Sequence, residues 1–221
     1  MHIPDSFMPL SQAIIYWVIA LPFIIMSMRW AKNELDEMKV PIFAALAAGI
    51  FAIQAMNIPI GLGTSGHMVG AALVAIIFGS PWAGVLVLTL VLLVQGFVFG
   101  DGGITTMGAN ILNMGVISGF VGYYTYSALR RGLSQSMAAF GGAWLGIFVS
   151  AIVCAIEIWL AGTFPLVPGL ITMGTSHLII GFVGEGLITS VAITAIAKSR
   201  PDLLNDSLDA RNSRVEAESF T

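Results

Sequence analysis

Seven apolar runs separated by short polar stretches decide what this chain can fold into. A helix needs about 20 apolar residues to cross a bilayer, within a range of about 17–25. The runs lie near residues 10–28, 41–57, 67–80, 82–99, 107–128, 138–161 and 173–197. Only 10% of the 221 residues are charged, whereas about a quarter are charged in soluble domains. We therefore predict an all-α membrane protein, folded as a compact bundle of about seven transmembrane helices.

The third run differs from the others because it is short for a full crossing. Gly79 and Ser80 end it, and Pro81 follows directly. We expect this segment to be tilted, broken or partly re-entrant, which membrane proteins tolerate where the backbone is buried in protein.

The positive charges predict the orientation of the bundle, because cytoplasmic loops carry an excess of Lys and Arg. With seven crossings, the N-terminus outside and the C-terminus in the cytoplasm, all nine basic residues are cytoplasmic. They are Arg29, Lys32, Lys39, Arg130, Arg131, Lys198, Arg200, Arg211 and Arg214. The same orientation gathers Met1 and the loops 58–66, 100–106 and 162–172 on the outer face.

The domain organisation follows from the same pattern. We predict an integral membrane domain at residues 1–198, which begins with an N-terminal segment at 1–9, and a charged cytoplasmic tail at 199–221. No basic stretch precedes the first apolar run, so we expect no cleavable signal peptide and a mature chain that keeps its first residue.

Composition and motifs argue against several function classes. The net charge of −3, with basic residues only at the ends of apolar runs, gives no indication of nucleic-acid binding. The single Cys154 allows no disulfide within the chain. No GxxxxGK[ST] loop is present, so any ATP hydrolysis must take place on another subunit.

The first two residues form a candidate metal chelator. The terminal amine, the amide nitrogen of His2 and its imidazole Nδ1 can close two fused rings on one ion, which puts three nitrogens in a plane. Such geometry suits Ni(II) and Cu(II), while Co(II) is less demanding. A fourth nitrogen could come from His67 or His177, the other histidines of the chain. An isolated N-terminal Met-His is more often a frayed end, so its location in the fold decides its role.

Polar residues inside the apolar runs are further candidates for functional residues, because a polar side chain in a membrane costs free energy and is therefore usually kept for a function. His67 opens the third run beside a glycine-rich loop, which favours it as a ligand. His177 and Glu185 share one face of the seventh helix, and a hard carboxylate poorly complements a nitrogen-only plane. We interpret a second group as supporting or helix-joining residues: Ser65, Gln95, Asn110, His177 and Glu185.

Two other functions remain open from these residues. Gly63-Thr64-Ser65-Gly66 with His177 as base is the pattern of an intramembrane serine protease, although such a motif is short. Alternatively, Glu185 and His177 could form the relay of a stand-alone proton-coupled metal permease.

Five motifs resemble the CbiM/NikM family, the metal-capturing membrane subunits of energy-coupling-factor transporters for cobalt and nickel. They lie in order along the chain between Met1 and about Lys198, at residues 1–9, 66–70, 95–103, 107–115 and 177–186. Ser6 and Met8 depart from the Gly and Leu usual in the family, and Ser6 implies a different turn because Gly permits positive φ.

The resemblance implies a function, a ligand set and partners. It implies high-affinity capture of Ni²⁺ or Co²⁺ by Met1, His2 and His67, in the cell membrane of a prokaryote. It also implies a transmembrane coupling subunit, two cytoplasmic ATPase subunits and often a small accessory membrane subunit, while the chain itself is no enzyme.

Overall fold

The computed structural model describes residues 1–61 and 64–204, which are mostly helical. A 3-10 turn at Asp5–Phe7 precedes the first helix, and another at Pro201–Leu203 follows the last. The predicted boundary between a membrane domain at 1–198 and a tail at 199–221 stays a prediction, because residues 205–221 lie outside the described residues. The helices are α1 (Leu10–Glu34), α2 (Val40–Gln54), α3 (Ala71–Ile77), α4 (Pro81–Phe99), α5 (107–129), α6 (Gln135–Leu160) and α7 (Leu166–Ser199).

Within the described residues, four helices are long and apolar enough to cross a membrane: α1, α4, α6 and α7, of 25, 19, 26 and 34 residues. α2 is apolar but has only 15 residues. Large apolar side chains such as Ile14 and Val18 on α1 and Val191 on α7 are exposed, as expected of surfaces that face lipid. The chain is therefore a helical membrane protein, while the count of seven crossings and the orientation remain predictions.

The third apolar run is broken, which was one of the forms expected for it. Its helix, α3, has seven residues and measures about 10 Å, a third of the hydrocarbon core. The preceding residues 67–70 are not helical. Gly70 has φ +82°, which glycine adopts without strain and which turns the chain into α3.

The last helix begins earlier than its apolar run predicts. The expected loop at 162–172 is wrong in its second half, because α7 starts at Leu166. Pro165 precedes the helix and Pro168 lies in its first turn, where a backbone N–H needs no partner within the helix. Proline and glycine in this stretch therefore mark the start of a helix rather than a loop.

A β-hairpin replaces the loop at 58–66 and departs from the all-α prediction. Strands β1 (Ile58–Gly61) and β2 (Thr64–Gly66) are antiparallel, with Ile58 opposite Gly66 and Pro59 opposite Ser65. The hairpin leads directly into His67, so it determines where that histidine lies.

Small residues let α5 and α6 approach closely. A Cβ added to Gly142 would lie 2.6 Å from the carbonyl oxygen of Gly122, and one added to Gly146 would lie 2.7 Å from that of Ser118. Glycine is therefore required at these two positions of α6, and their GxxxG spacing is typical of membrane helices packed backbone to backbone.

The loops predicted to share one face do meet. The Met1 amine donates to the carbonyl of Ser65 in the hairpin. The Gly103 N–H donates to the Ile3 carbonyl at 3.1 Å, and Thr163 Oγ1 donates to the Phe7 carbonyl at 2.6 Å. We call this the N-terminal end of the bundle.

Among the residues that the structure describes, three π-helical turns interrupt the long helices, and each carries a buried polar side chain. They are Gln95–Phe99 in α4, Ile111–Ile117 in α5 and Gly181–Gly186 in α7, and they hold Gln95, Asn113 and Glu185. π turns often occur at functional sites, and two of these three residues help to build the site described next.

Candidate metal site

The N-terminal segment enters the bundle instead of fraying into solvent. Met1, His2 and Ile3 are 1%, 6% and 0% exposed. A buried chain end must have its polar groups satisfied or hold them ready for a ligand. The location that an N-terminal chelator requires is therefore present.

Ile3 attaches this segment to α5 and the loop before it. Its N–H donates to Asn110 Oδ1 at 2.8 Å. Its carbonyl accepts from Asn110 Nδ2 at 3.2 Å, from Thr106 Oγ1 at 2.6 Å and from the Gly103 N–H at 3.1 Å. Asn110 thus holds the N-terminal segment against α5.

Asp5 provides a second attachment. Its Oδ1 accepts from Thr105 Oγ1 at 2.6 Å, from the Thr105 N–H at 2.7 Å and from the Thr106 N–H at 3.3 Å. Desolvation opposes ionisation, but these hydrogen bonds keep the pKa of the Asp5 carboxyl below its usual value. The sequence pattern does not single out Thr105 and Thr106. Their position directly before a helix is the one signal, because threonine there commonly makes hydrogen bonds with backbone groups.

The Met1 amine can act as a nitrogen donor at neutral pH. Burial lowers its pKa from 8.0 to about 5, although Cys154 and Asp101 oppose the shift. The amine is therefore mostly unprotonated near pH 7 and carries a lone pair. Its neighbour is the Ser65 carbonyl, so Ser65 contributes to the site through its backbone.

His2 is held in the tautomer that a chelate needs. Its Nε2 lies 3.2 Å from Gln95 Oε1, and because that oxygen can only accept, Nε2 carries the proton. Nδ1 then has a lone pair, and it is buried with no hydrogen-bond partner. Burial, and next the Met1 amine, lower the pKa of His2 to about 4 against the opposing effects of Asp101 and Gln95, which keeps the ring neutral.

His67 stacks on His2, with ring centroids 4.7 Å apart and planes inclined by 29°. His67 Nδ1 donates to the Met68 carbonyl at 2.8 Å. Its Nε2 is therefore the free nitrogen, again buried and without a partner. The structure thus brings together the three residues that the sequence and the resemblance single out as ligands.

Glu185 fixes the backbone that follows His67. Its two carboxylate oxygens accept from the N–H groups of Val69 and Gly70 at 2.6 and 2.7 Å. Gln54 Nε2 donates to the Val69 carbonyl at 2.8 Å. Glu185 therefore contacts the backbone of the segment that follows His67. The side chains of Glu185, Gln54 and Val69 are all buried.

His177 lies on α7, one turn before Ile180. Its Nδ1 donates to the Met173 carbonyl of its own helix at 2.9 Å, and Nε2 is buried without a partner. A Cβ added at Gly66 would collide with Ile180, so this part of α7 packs against the hairpin. His177 therefore contributes a third imidazole close to the N-terminal end.

The donor set includes the chain terminus. Among residues 1–61 and 64–204, no three His, Cys, Asp or Glu side chains form a metal cluster on their own. The terminal amine and the amide nitrogen of His2 are needed to complete a site. Nitrogen donors suit first-row divalent metals such as nickel and cobalt better than Mg²⁺ or Ca²⁺.

A cavity of about 790 Å³ opens from the surface onto His2. Its walls come from the N-terminal segment, the hairpin and the loop between α4 and α5. The lining residues are His2, Pro4, Asp5, Ser6, Asn57, Pro59, Ser65, Gly100, Asp101, Gly102 and Gly103. This cavity gives a hydrated ion a path to the candidate ligands.

Known proteins are similar to this chain in sequence and in fold. Residues 2–203 match the family CbiM, described as the cobalt uptake substrate-specific transmembrane region. A protein of Archaeoglobus fulgidus named as a fused nickel transport protein, NikMN, is 42% identical over 206 residues, which is 92% of this chain and 68% of that protein. The cobalt transport protein CbiM of Geobacter sulfurreducens is 31% identical over 215 residues, which is 92% of this chain and 61% of that protein.

Solved structures agree with the sequence relatives. The crystal structure of a truncated transition metal transporter superposes with a TM-score of 0.84 at 32% identity, covering 90% of this chain and 99% of that one. The family match extends over nearly the whole chain. The chain therefore belongs to the CbiM family and is a membrane component of cobalt/nickel transport of the CbiM/NikM type.

Proposed function

We propose that this chain captures Ni²⁺ or Co²⁺ with high affinity, as the substrate-binding component of an ATP-driven energy-coupling-factor import system. The proposed ligands are the Met1 amine, the amide nitrogen and Nδ1 of His2, and Nε2 of His67. One observation carries the proposal: the buried N-terminus lies beside two stacked imidazoles whose free nitrogens have no protein partner.

Binding of the ion must break one hydrogen bond and remove one proton at the site. The Met1 amine gives up its hydrogen bond to the Ser65 carbonyl, and the His2 amide loses its proton as the ion binds. Metal affinity is then linked to proton release. A plane of four nitrogens favours nickel on geometry, while the named relatives include both nickel and cobalt transport proteins.

Release of the ion to the other side of the membrane requires an energy source outside this chain. The sequence has no GxxxxGK[ST] loop, so we assign ATP hydrolysis to two cytoplasmic ATPase subunits. A transmembrane coupling subunit would transmit the change, with a small accessory membrane subunit in addition. Both carboxylate oxygens of Glu185 already accept from backbone N–H groups, which disfavours Glu185 as the relay of a proton-coupled permease.

Reconstitution tests this function. The chain is placed in proteoliposomes alone, or together with its coupling subunit and ATPases, and uptake of radioactive nickel or cobalt is measured. We expect uptake only from the complete set and only with ATP. Uptake by the chain alone in a proton gradient would contradict the proposal and favour the permease.

A further inference from the structure

Asp101 lies where the open cavity meets the buried N-terminus. Its side chain is 30% exposed, and its Oδ1 is 3.6 Å from the free Nδ1 of His2. Its Oδ2 accepts from Asn57 Nδ2 at 3.1 Å, and its N–H donates to the Gln95 carbonyl at 3.0 Å. The backbone of Asp101 and its Oδ2 are therefore both held, and Oδ1 is left facing an imidazole nitrogen.

The separation of 3.6 Å between Oδ1 and Nδ1 is too long for a hydrogen bond. It is a suitable separation for a cation between them. A first-row divalent ion binds nitrogen and oxygen ligands at about 2.0–2.2 Å, so the gap is short enough for one ion to bind both atoms. His2 is 6% exposed, and its Nδ1 has no other partner.

The charge of Asp101 is not balanced by nearby basic residues. Residues 40–129 contain no Lys or Arg, and none lines the cavity. The other carboxylate of the lining, Asp5, already accepts three hydrogen bonds at Oδ1. A negative charge in a cleft with low-dielectric walls raises the local concentration of cations and the rate at which they bind.

We propose that Asp101 and His2 Nδ1 form an entry site, at which a hydrated divalent transition-metal ion is first held before it moves to the buried nitrogens. This inference rests on the proposed function and adds a ligand that the final plane does not include. A carboxylate suits an ion that still carries water, whereas the nitrogens deeper in the site suit the dehydrated ion. Once Nδ1 joins the final plane, the Asp101 carboxylate no longer binds the ion directly, but its charge stays close and still attracts the ion.

The entry site makes a kinetic prediction. In stopped-flow measurements on the purified full chain with Ni²⁺, Asp101→Asn should slow association about 10-fold and leave dissociation within about 2-fold. Added salt should slow association of the unmodified chain more than that of the variant, because it screens the carboxylate. Asp36→Asn removes the same charge between α1 and α2 and should change neither rate constant.

Three results would overturn the entry site. Equal association rates for the unmodified chain and for Asp101→Asn would overturn the entry site while leaving the proposed function standing, and so would a change confined to dissociation. Asp101→Ser serves as a second uncharged variant, and an unchanged dissociation rate shows that either variant is folded. Failure of the unmodified chain to bind Ni²⁺ would overturn the proposed function and the entry site together.

Discussion

His67→Ala is expected to weaken nickel binding by more than about 100-fold. The substitution removes Nε2, the nitrogen proposed to complete the plane, and residues that merely support ligands already cost about 10–100-fold when they are replaced. The backbone around position 67 should keep its conformation in the variant, because Glu185 and Gln54 still hold residues 69 and 70. Calorimetric titration in detergent gives the affinity, and thermal unfolding of the same sample reports the fold.

His177→Ala is the matched control for this experiment. It also removes a fully buried imidazole with a free Nε2, but one that we place outside the ligand set. The ring of His177 donates to the Met173 carbonyl of its own helix rather than to a proposed ligand, so the loss of nickel affinity should stay below the roughly 10–100-fold cost of replacing a residue that supports a ligand. Equal losses in the two variants would make His177 a ligand, and unchanged binding in His67→Ala would refute the proposed plane.

Glu185→Gln is expected to weaken nickel binding about 10–100-fold and to lower the free energy of unfolding by roughly 1–3 kcal/mol. A carboxylate accepts at both oxygens, whereas an amide has one oxygen and one NH₂ group that cannot accept from an N–H. Either the Val69 N–H or the Gly70 N–H, both of which are buried, then loses its hydrogen-bond acceptor. The segment that carries His67 should shift, so calorimetry and thermal unfolding should change together.

Glu157→Ala separates this local effect from a general loss of stability. Glu157 is another buried carboxylate, and it accepts from Asn113 Nδ2 rather than from the backbone after His67. Alanine removes this acceptor and leaves the buried Asn113 Nδ2 without its partner, so it should lower the free energy of unfolding by about 1–3 kcal/mol as well, but leave nickel affinity within about threefold. If both variants lost affinity in parallel with stability, the effect of Glu185 would be global and its positioning role would be wrong.

The helical framework was predictable because apolar runs of membrane length leave the chain few alternatives. The ends of the helices were least predictable where a helix extends into polar residues or into residues next to proline. α1 runs to Glu34, beyond Arg29 and Lys32, and α7 begins at Leu166. Hydropathy reports contact with lipid, whereas a helix continues as long as its backbone hydrogen bonds do.

The segment after His67 shows what the sequence could not reveal. Residues 67–70 belong to an apolar run, yet Glu185 holds Val69 and Gly70 from more than 100 residues away. No local pattern encodes such a contact. The π turn that places Glu185 is equally hidden, because hydrophobic periodicity does not distinguish a single π turn from an α-helix.

The ligand candidates were accessible to sequence reasoning, whereas their supports were not. Met1, His2 and His67 stand out as rare nitrogen donors in an apolar chain. Asn110 was identifiable as a buried polar residue, but its bonds to Ile3 join residues 107 positions apart. Asp101 reads locally as a turn residue among glycines, and only the fold brings its carboxylate to His2.

The most direct test of the N-terminal chelate compares one chain in two forms, with a free Met1 amine and with the Nα-formyl group retained. Formylation removes the amine lone pair and leaves every side chain in place. Calorimetric titration with Ni²⁺ should show one tight site in the free form and affinity lower by more than about 100-fold in the formylated form. Equal affinity in the two forms would contradict the account and move the metal to other ligands.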